Sequence, residues 1–323
     1  MRASSLVAAI ALSIVTSDMS ATAGDKFGPW GPPVNLGPTV NSKYNDDRPA
    51  ISRDNLSLYF SSDRPGIGGF DIWVSHRASV NDPWGTPQNL GPTVNTTGVE
   101  DSPALSPNGH WLFFGSDRPG GCGGIDIWAS HRGDRDDDFA WEPPINLGCK
   151  LNTSADDDFP FLFVDNEQDI TLLYFASKQS SGFYHIYAST INEEDGTFGP
   201  GVLVPNINCF EKVCARDSRT TIRRDGLELI FGSFNRPGGI GLQDLWVATR
   251  KDTEDPWSIP VNLGSVVNTA AQEGGPALSR DGTTLYFHSS RNQPDGIGPL
   301  DLYVTTRAKL REDEEEDESG HGR

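Results

Sequence analysis

One motif recurs five times along this chain at a nearly constant interval. It reads Asp71-Ile72-Trp73, Asp126-Ile127-Trp128, His185-Ile186-Tyr187, Asp244-Leu245-Trp246 and Asp301-Leu302-Tyr303. Successive copies lie 55, 59, 59 and 57 residues apart. A period this regular requires a repeat architecture, in which each unit buries its apolar face on the next.

Within a unit the apolar runs are short and rich in aromatic and β-branched residues, which marks strands rather than helices. Leu58-Tyr59-Phe60, Leu112-Phe113-Phe114, Leu173-Tyr174-Phe175, Leu229-Ile230-Phe231 and Leu285-Tyr286-Phe287 form one strand family. A Pro-x-Ile/Leu step precedes it at Pro49, Pro103, Pro160 and Pro276. The turns between the two carry Asn108-Gly109, Asp225-Gly226 and Asp281-Gly282, pairs that accept the positive φ of tight hairpins. A third strand holds Asp-Ile-Trp, and a fourth follows Trp84, Trp141 and Trp257. Four antiparallel strands per unit make the blade of a β-propeller.

The chain ends specify how the ring closes. No closing strand follows Asp301, and the missing copy stands at the start as Trp30, Pro33 and Asn35-Leu36-Gly37. The expected fold is therefore an all-β, five-bladed propeller over 24–308, whose N-terminal strand completes the last blade and covers its free edge.

Residues 1–23 read as a signal peptide. Met1-Arg2 precedes an apolar run from Leu6 to Val15, and Ala21-Thr22-Ala23 offers a small-x-small cleavage site. The run is too short to span a bilayer, so a periplasmic or extracellular chain is expected, with no membrane span. Residues 309–323 are expected to be an acidic, disordered tail around Glu312–Glu318. The formal net charge is −19, and most of it remains without that tail, which argues against nucleic acid as a partner.

Four cysteines in an exported chain suggest two disulfides. In a propeller, the loop between strands two and three opens on the same face as the loop between blades. Cys122 and Cys149 occupy one loop of each kind in one unit, and Cys209 and Cys214 share one interblade loop. The expected pairs are Cys122–Cys149 and Cys209–Cys214. Zinc is the rival reading, but no Cys-x-x-Cys or paired-His spacing accompanies them. No cofactor and no metal is expected.

Ser62-Asp63-Arg64-Pro65-Gly66 and Ser116-Asp117-Arg118-Pro119-Gly120-Gly121, each followed by Asp-Ile-Trp, resemble the WD-repeat-like propeller repeats of the TolB type. The resemblance covers about residues 30–307 and implies a periplasmic or secreted propeller.

Candidate binding residues come from the repeat itself. A carboxylate stands five residues before each first-strand Ile or Leu: Asp46, Glu100, Asp157, Asp217 and Glu273. All five are expected at one mouth of the central channel, on the face of the Gly-rich loops. Such a ring could bind a cation or the basic end of a ligand, since oxygen donors suit calcium or magnesium. It could equally be a ladder of structural pairs with Arg64, Arg118, Lys178, Arg236 and Arg291, one cation per acid and in register. The register favours the ladder. The aspartates Asp71, Asp126, Asp244 and Asp301 are read as local caps of their Gly-rich loops. Histidines without metal-ligand spacing, and the lack of a Gly-x-Ser-x-Gly elbow, leave no catalytic motif.

The resulting expectation is an exported, non-enzymatic propeller that binds a protein or peptidoglycan-associated partner of the cell envelope through its loop face. The rivals are a five-bladed glycoside hydrolase and a lectin-like propeller that binds carbohydrate. Acids that break the repeat are the feature that would favour a hydrolase.

Overall fold

A computed structural model describes residues 27–310, apart from 166–169, 180–181, 193–195, 212, 215 and 292–295. The predicted signal peptide and the acidic run of the tail lie outside the described residues. Among the described residues, twenty strands form five four-stranded antiparallel sheets. Blade I comprises Asp46–Ile51, Ser57–Ser62, Asp71–His76 and Gln88–Asn89. Blade II comprises Glu100–Leu105, Trp111–Ser116, Asp126–His131 and Ile145–Asn146. Blade III runs through Asp157–Asp165, Ile170–Ser177, His185–Thr190 and Val202–Leu203. Blade IV has Arg216–Ile222, Glu228–Phe234, Gln243–Thr249 and Val261–Asn262. Blade V takes Glu273–Leu278, Thr284–Ser289 and Asp301–Thr306 from the end of the chain and Val34–Asn35 from its beginning. Val34 pairs with Val304 and Asn35 with Tyr303, so the ring is closed by the N-terminal strand as expected.

The core lies between blades. Clusters of buried side chains join I to II, II to III, III to IV, IV to V and V back to I. Phe60, Phe114, Phe175, Phe231 and Phe287 recur at its centre, each essentially inaccessible to water. That recurrence is why the period is so regular: each copy must present the same ring to the next blade.

The Asp-Ile-Trp aspartate caps its own loop. Asp71 accepts hydrogen bonds from the Ile67 and Gly68 amides at 2.6 and 3.0 Å and from Asn89 Nδ2 at 2.8 Å. Asp126, Asp244 and Asp301 accept from the corresponding Gly-rich loops. Both disulfides form between the expected partners, Cys122–Cys149 and Cys209–Cys214. Among the described residues no helix is long and apolar enough to cross a membrane.

Candidate functional site

The five periodic acids stand at the start of the innermost strands, at the Gly-rich mouth, and are almost wholly buried. Asp46 accepts from Ser62 Oγ at 2.6 Å and pairs with Arg64. Glu100 accepts from Ser116 Oγ at 2.8 Å, Thr96 Oγ1 at 2.7 Å and Arg118 at 3.2 Å. Asp217 accepts from Ser233 Oγ at 2.6 Å and stands 3.4 Å from Arg236. Glu273 meets Ser289 Oγ at 2.7 Å and Arg291 at 3.2 Å. Blade III differs: Asp157 accepts from Thr153 Oγ1 at 2.9 Å, while Lys178 turns to Asp156 at 2.7 Å. Each motif arginine also lies over a phenylalanine and the motif aromatic, as Arg118 does over Phe114 and Trp128 at 5.0 and 5.2 Å. These residues tie loop to strand and blade to blade around the mouth.

One residue further along the same strands stands a different set. Asp47, Asp101 and Asp158 follow the periodic acids in blades I, II and III, whereas blades IV and V have Ser218 and Gly274 there. These three acids break the repeat. Immediately after them the pairing register shifts in every blade. The residue at the bulge has positive φ in all five: Arg48 (49°), Ser102 (56°), Phe159 (59°), Arg219 (34°) and Gly275 (60°). Four of these five positions demand a left-handed backbone from a non-glycine side chain, a cost that accumulates where side chains must be aimed. In four blades a proline follows the bulged residue, since an innermost strand tolerates proline only where the ladder is already broken.

The bulges bring opposite charges together at the axis. Arg48 pairs with Asp101 and stands 3.6 Å from Asp47. Arg219 reaches across the ring from blade IV, donating from Nη2 to the carbonyls of Pro49 at 2.5 Å and Pro103 at 2.8 Å, on blades I and II. Arg48 also lies 5.1 Å over Phe159, which meets Tyr184 edge-on at 5.3 Å. His288 Nδ1 accepts from the Arg48 amide at 3.3 Å.

Burial sets the protonation states. Asp47 is raised above the usual carboxylate range, chiefly by desolvation and against the pull of Arg48, Arg219 and Arg216. His288 is pushed well below its usual value by burial and then by the same three arginines, so its ring is neutral at pH 7. Tyr184 is raised well above the phenol range by burial and by Asp158 and Asp156. Among the described residues, several buried polar atoms here have no hydrogen-bond partner in the protein: Asp47 Oδ1, Ser102 Oγ, Arg216 Nε, Arg219 Nη1 and Gln243 Oε1. Unpartnered buried polar atoms of this kind are what a polar ligand or ordered water would satisfy. Among the described residues, no group of three or more His, Cys, Asp and Glu is placed to hold a metal ion.

The sequence reading missed this cluster by one residue. Its signal was an acid present in only three of five copies, followed by a proline inside the innermost strand.

No family model matches the chain, and no curated protein matches it. Solved structures do match. An α-L-arabinofuranosidase from Lactobacillus brevis is 14% identical with a TM-score of 0.59, covering 85% of this chain and 93% of that one. The catalytic domain of a Coprinopsis cinerea GH62 α-L-arabinofuranosidase is 12% identical with a TM-score of 0.57, covering 88% and 98%. An endo-arabinase from Bacteroides thetaiotaomicron is 17% identical with a TM-score of 0.55, covering 82% and 95%. At these identities the likeness is one of fold, and it spans the whole ring. It corrects the TolB-type, WD-like resemblance: the loop motif that carried it caps a blade locally, so it marks blades without marking which ring they build. The expectation of a non-enzymatic propeller binding a protein or cell-envelope partner is corrected with it. The matching rings named here are α-L-arabinofuranosidases and an endo-arabinase, and a protein partner finds no support in them.

Proposed function

We propose that the chain is an exported glycoside hydrolase acting on a pentose-containing glycan at the Gly-rich mouth of the channel. The observation that carries this reading is the trio Asp47, Asp101 and Asp158, which departs from the repeat at the axis of the ring. Glycoside hydrolysis needs one carboxyl that keeps its proton and a second carboxylate that works as base or nucleophile. Asp47, raised by burial, suits the general acid. Asp158, whose charge acts on Arg216 and Arg219, suits the second role. Asp101, neutralised by Arg48, holds that arginine in place. Neutral His288 and the unsatisfied polar atoms supply hydrogen bonds to sugar hydroxyls. The two disulfides fit folding in an oxidising compartment, here the periplasm or the exterior, reached through the leader at 1–23.

A second reading, glycan binding without cleavage, is favoured by the arginines themselves. Arg48 and Arg219 occupy the axis and engage groups that a sugar would otherwise meet. One experiment separates the two. The mature protein is incubated with aryl pentosides, arabinan and arabinoxylan, and released sugar is measured alongside binding by calorimetry. Release that disappears in Asp47→Asn and Asp158→Asn supports the hydrolase. Binding without release supports the second reading, and absence of both across these substrates overturns the proposal.

A further inference from the structure

The opposite end of the channel has a different character. There the innermost strands end and their hairpins turn, and the channel opens as a funnel of about 570 Å³. That is within the range of small-molecule sites. Its walls are apolar, built from Ile51, Leu105, Phe161, Ile222, Leu278 and Trp111. Its rim carries Arg53, Arg224 and Arg280. Arg219, lying across the axis, stands between this funnel and the acid cluster.

Three arginines on one rim are out of keeping with a chain of net charge −19. They are close enough to oppose one another: burial, then the charges of Arg224 and Arg53, hold Arg280 below the ordinary arginine range. Each is directly followed by an aspartate that could have neutralised it, yet each aspartate is turned into its own hairpin. Asp54 accepts from Ser52 Oγ at 2.6 Å and the Leu56 amide at 3.0 Å. Asp281 accepts from Ser279 Oγ at 2.6 Å and the Thr283 amide at 3.1 Å. Asp225 accepts from Arg223 Nε at 2.8 Å and the Leu227 amide at 3.1 Å. Among the described residues none of the three rim arginines has a carboxylate partner.

We propose that this funnel is a second binding site, separate from the acid cluster, for a small organic anion with an apolar body. The charged group sits among Arg53, Arg224 and Arg280, and the body lies against the aliphatic and aromatic walls. The acidic C-terminal tail is the natural competitor, because Lys309, one residue before the last described one, lies beside Asp281 of a rim hairpin. Its residues 311–323 offer seven carboxylates but no apolar side chain. The tail therefore matches the rim and not the walls, and the walls decide for an amphipathic ligand.

The test is a fluorescence titration of the mature chain with 1-anilinonaphthalene-8-sulfonate at low ionic strength. Saturable binding at one site is expected, weakened about tenfold or more in Arg224→Gln/Arg280→Gln by loss of charge-assisted hydrogen bonds. Decanoate should displace the probe and acetate should not. Both arginines are on the rim, and an unchanged melting temperature shows that the variant is folded. Equal binding by the double variant overturns the proposal, as does displacement by acetate as effective as by decanoate. Binding seen only after truncation to residue 310 also overturns it, and makes the funnel the seat of the tail.

Discussion

At position 47 a carboxyl is held where water scarcely reaches it, and its protonation follows from that. The folded pKa lies above the unfolded value of about 3.9. Between those two values the folded chain keeps a proton that the unfolded chain has lost. Asp47 therefore contributes most to stability below about pH 4, and its contribution falls as pH rises through that window. Asp47→Asn should flatten this fall, measured as urea midpoints between pH 4 and pH 7. If Asp47 is the general acid of the proposed hydrolase, the same substitution should lower release of sugar by about 10²–10⁴-fold, the usual worth of a general acid. His288 works in the opposite sense. Its folded pKa is depressed, so below about pH 6.5 the unfolded chain takes up a proton that the folded chain refuses. Stability should be lost as pH falls below that value, and His288→Gln should lose less of it over the same range. A steeper acid loss in His288→Gln than in the wild type would count against this assignment. Neither residue was legible as special in the sequence. Asp47 sits beside the periodic Asp46, and a reading that rewards register selects the acid that repeats, which is the one the blade needs. His288 stands in the apolar strand family, and only the ring places it against Arg48.

Among elements, the innermost strand carries the most information. Its Pro-x-Ile/Leu step was legible as a strand marker, but the same proline also marks a bulge, and the bulge aims the preceding side chain at the axis. The conformation gives a test. Ser102 has φ of 56°, where glycine carries no steric cost, so Ser102→Gly should be neutral or stabilising, while Ser102→Val should destabilise by about 1–3 kcal/mol from backbone strain. Thermal melts of the two variants check this, and equal behaviour of glycine and valine would refute it. The loops around the mouth are fixed by the two disulfides, whose pairing was legible because propeller topology brings those loops to one face. Cys122–Cys149 closes 27 residues and Cys209–Cys214 closes 5. On chain-entropy grounds the first should stabilise by about 3–4 kcal/mol and the second by about 2. Denaturant midpoints of the paired serine variants should therefore shift more for Cys122→Ser/Cys149→Ser, and the reverse order would show that the short loop is ordered by more than its bridge.

For the whole molecule, the decisive fact is that the first strand of the propeller belongs to its last blade. This was legible because the repeat is permuted: a closing strand is missing after Asp301 and present before Asp46. The kind of ring was not legible, since the local caps that make a blade are the same whatever its neighbours do. Closure is held by more than the pairing of Val34–Asn35. Asn41 exchanges hydrogen bonds with the Leu302 backbone at 2.8 and 3.0 Å, and Asn35 donates to Asp301 at 3.1 Å. Arg307 stacks on Trp30 at 4.3 Å, repeating the contact of Arg77 with Trp84 and of Arg132 with Trp141. Deleting residues 24–41 removes all of these at once and leaves Asp301–Thr306 as an unpaired edge. An exposed strand of this kind pairs with other chains, so the truncated protein should melt at a lower temperature and form higher oligomers on size exclusion with light scattering. The axis should suffer too, because Arg48 touches His288 across the junction that this strand closes. A truncated chain that stays monomeric with an unchanged melting temperature would mean that the V–I interface holds the ring without its closing strand.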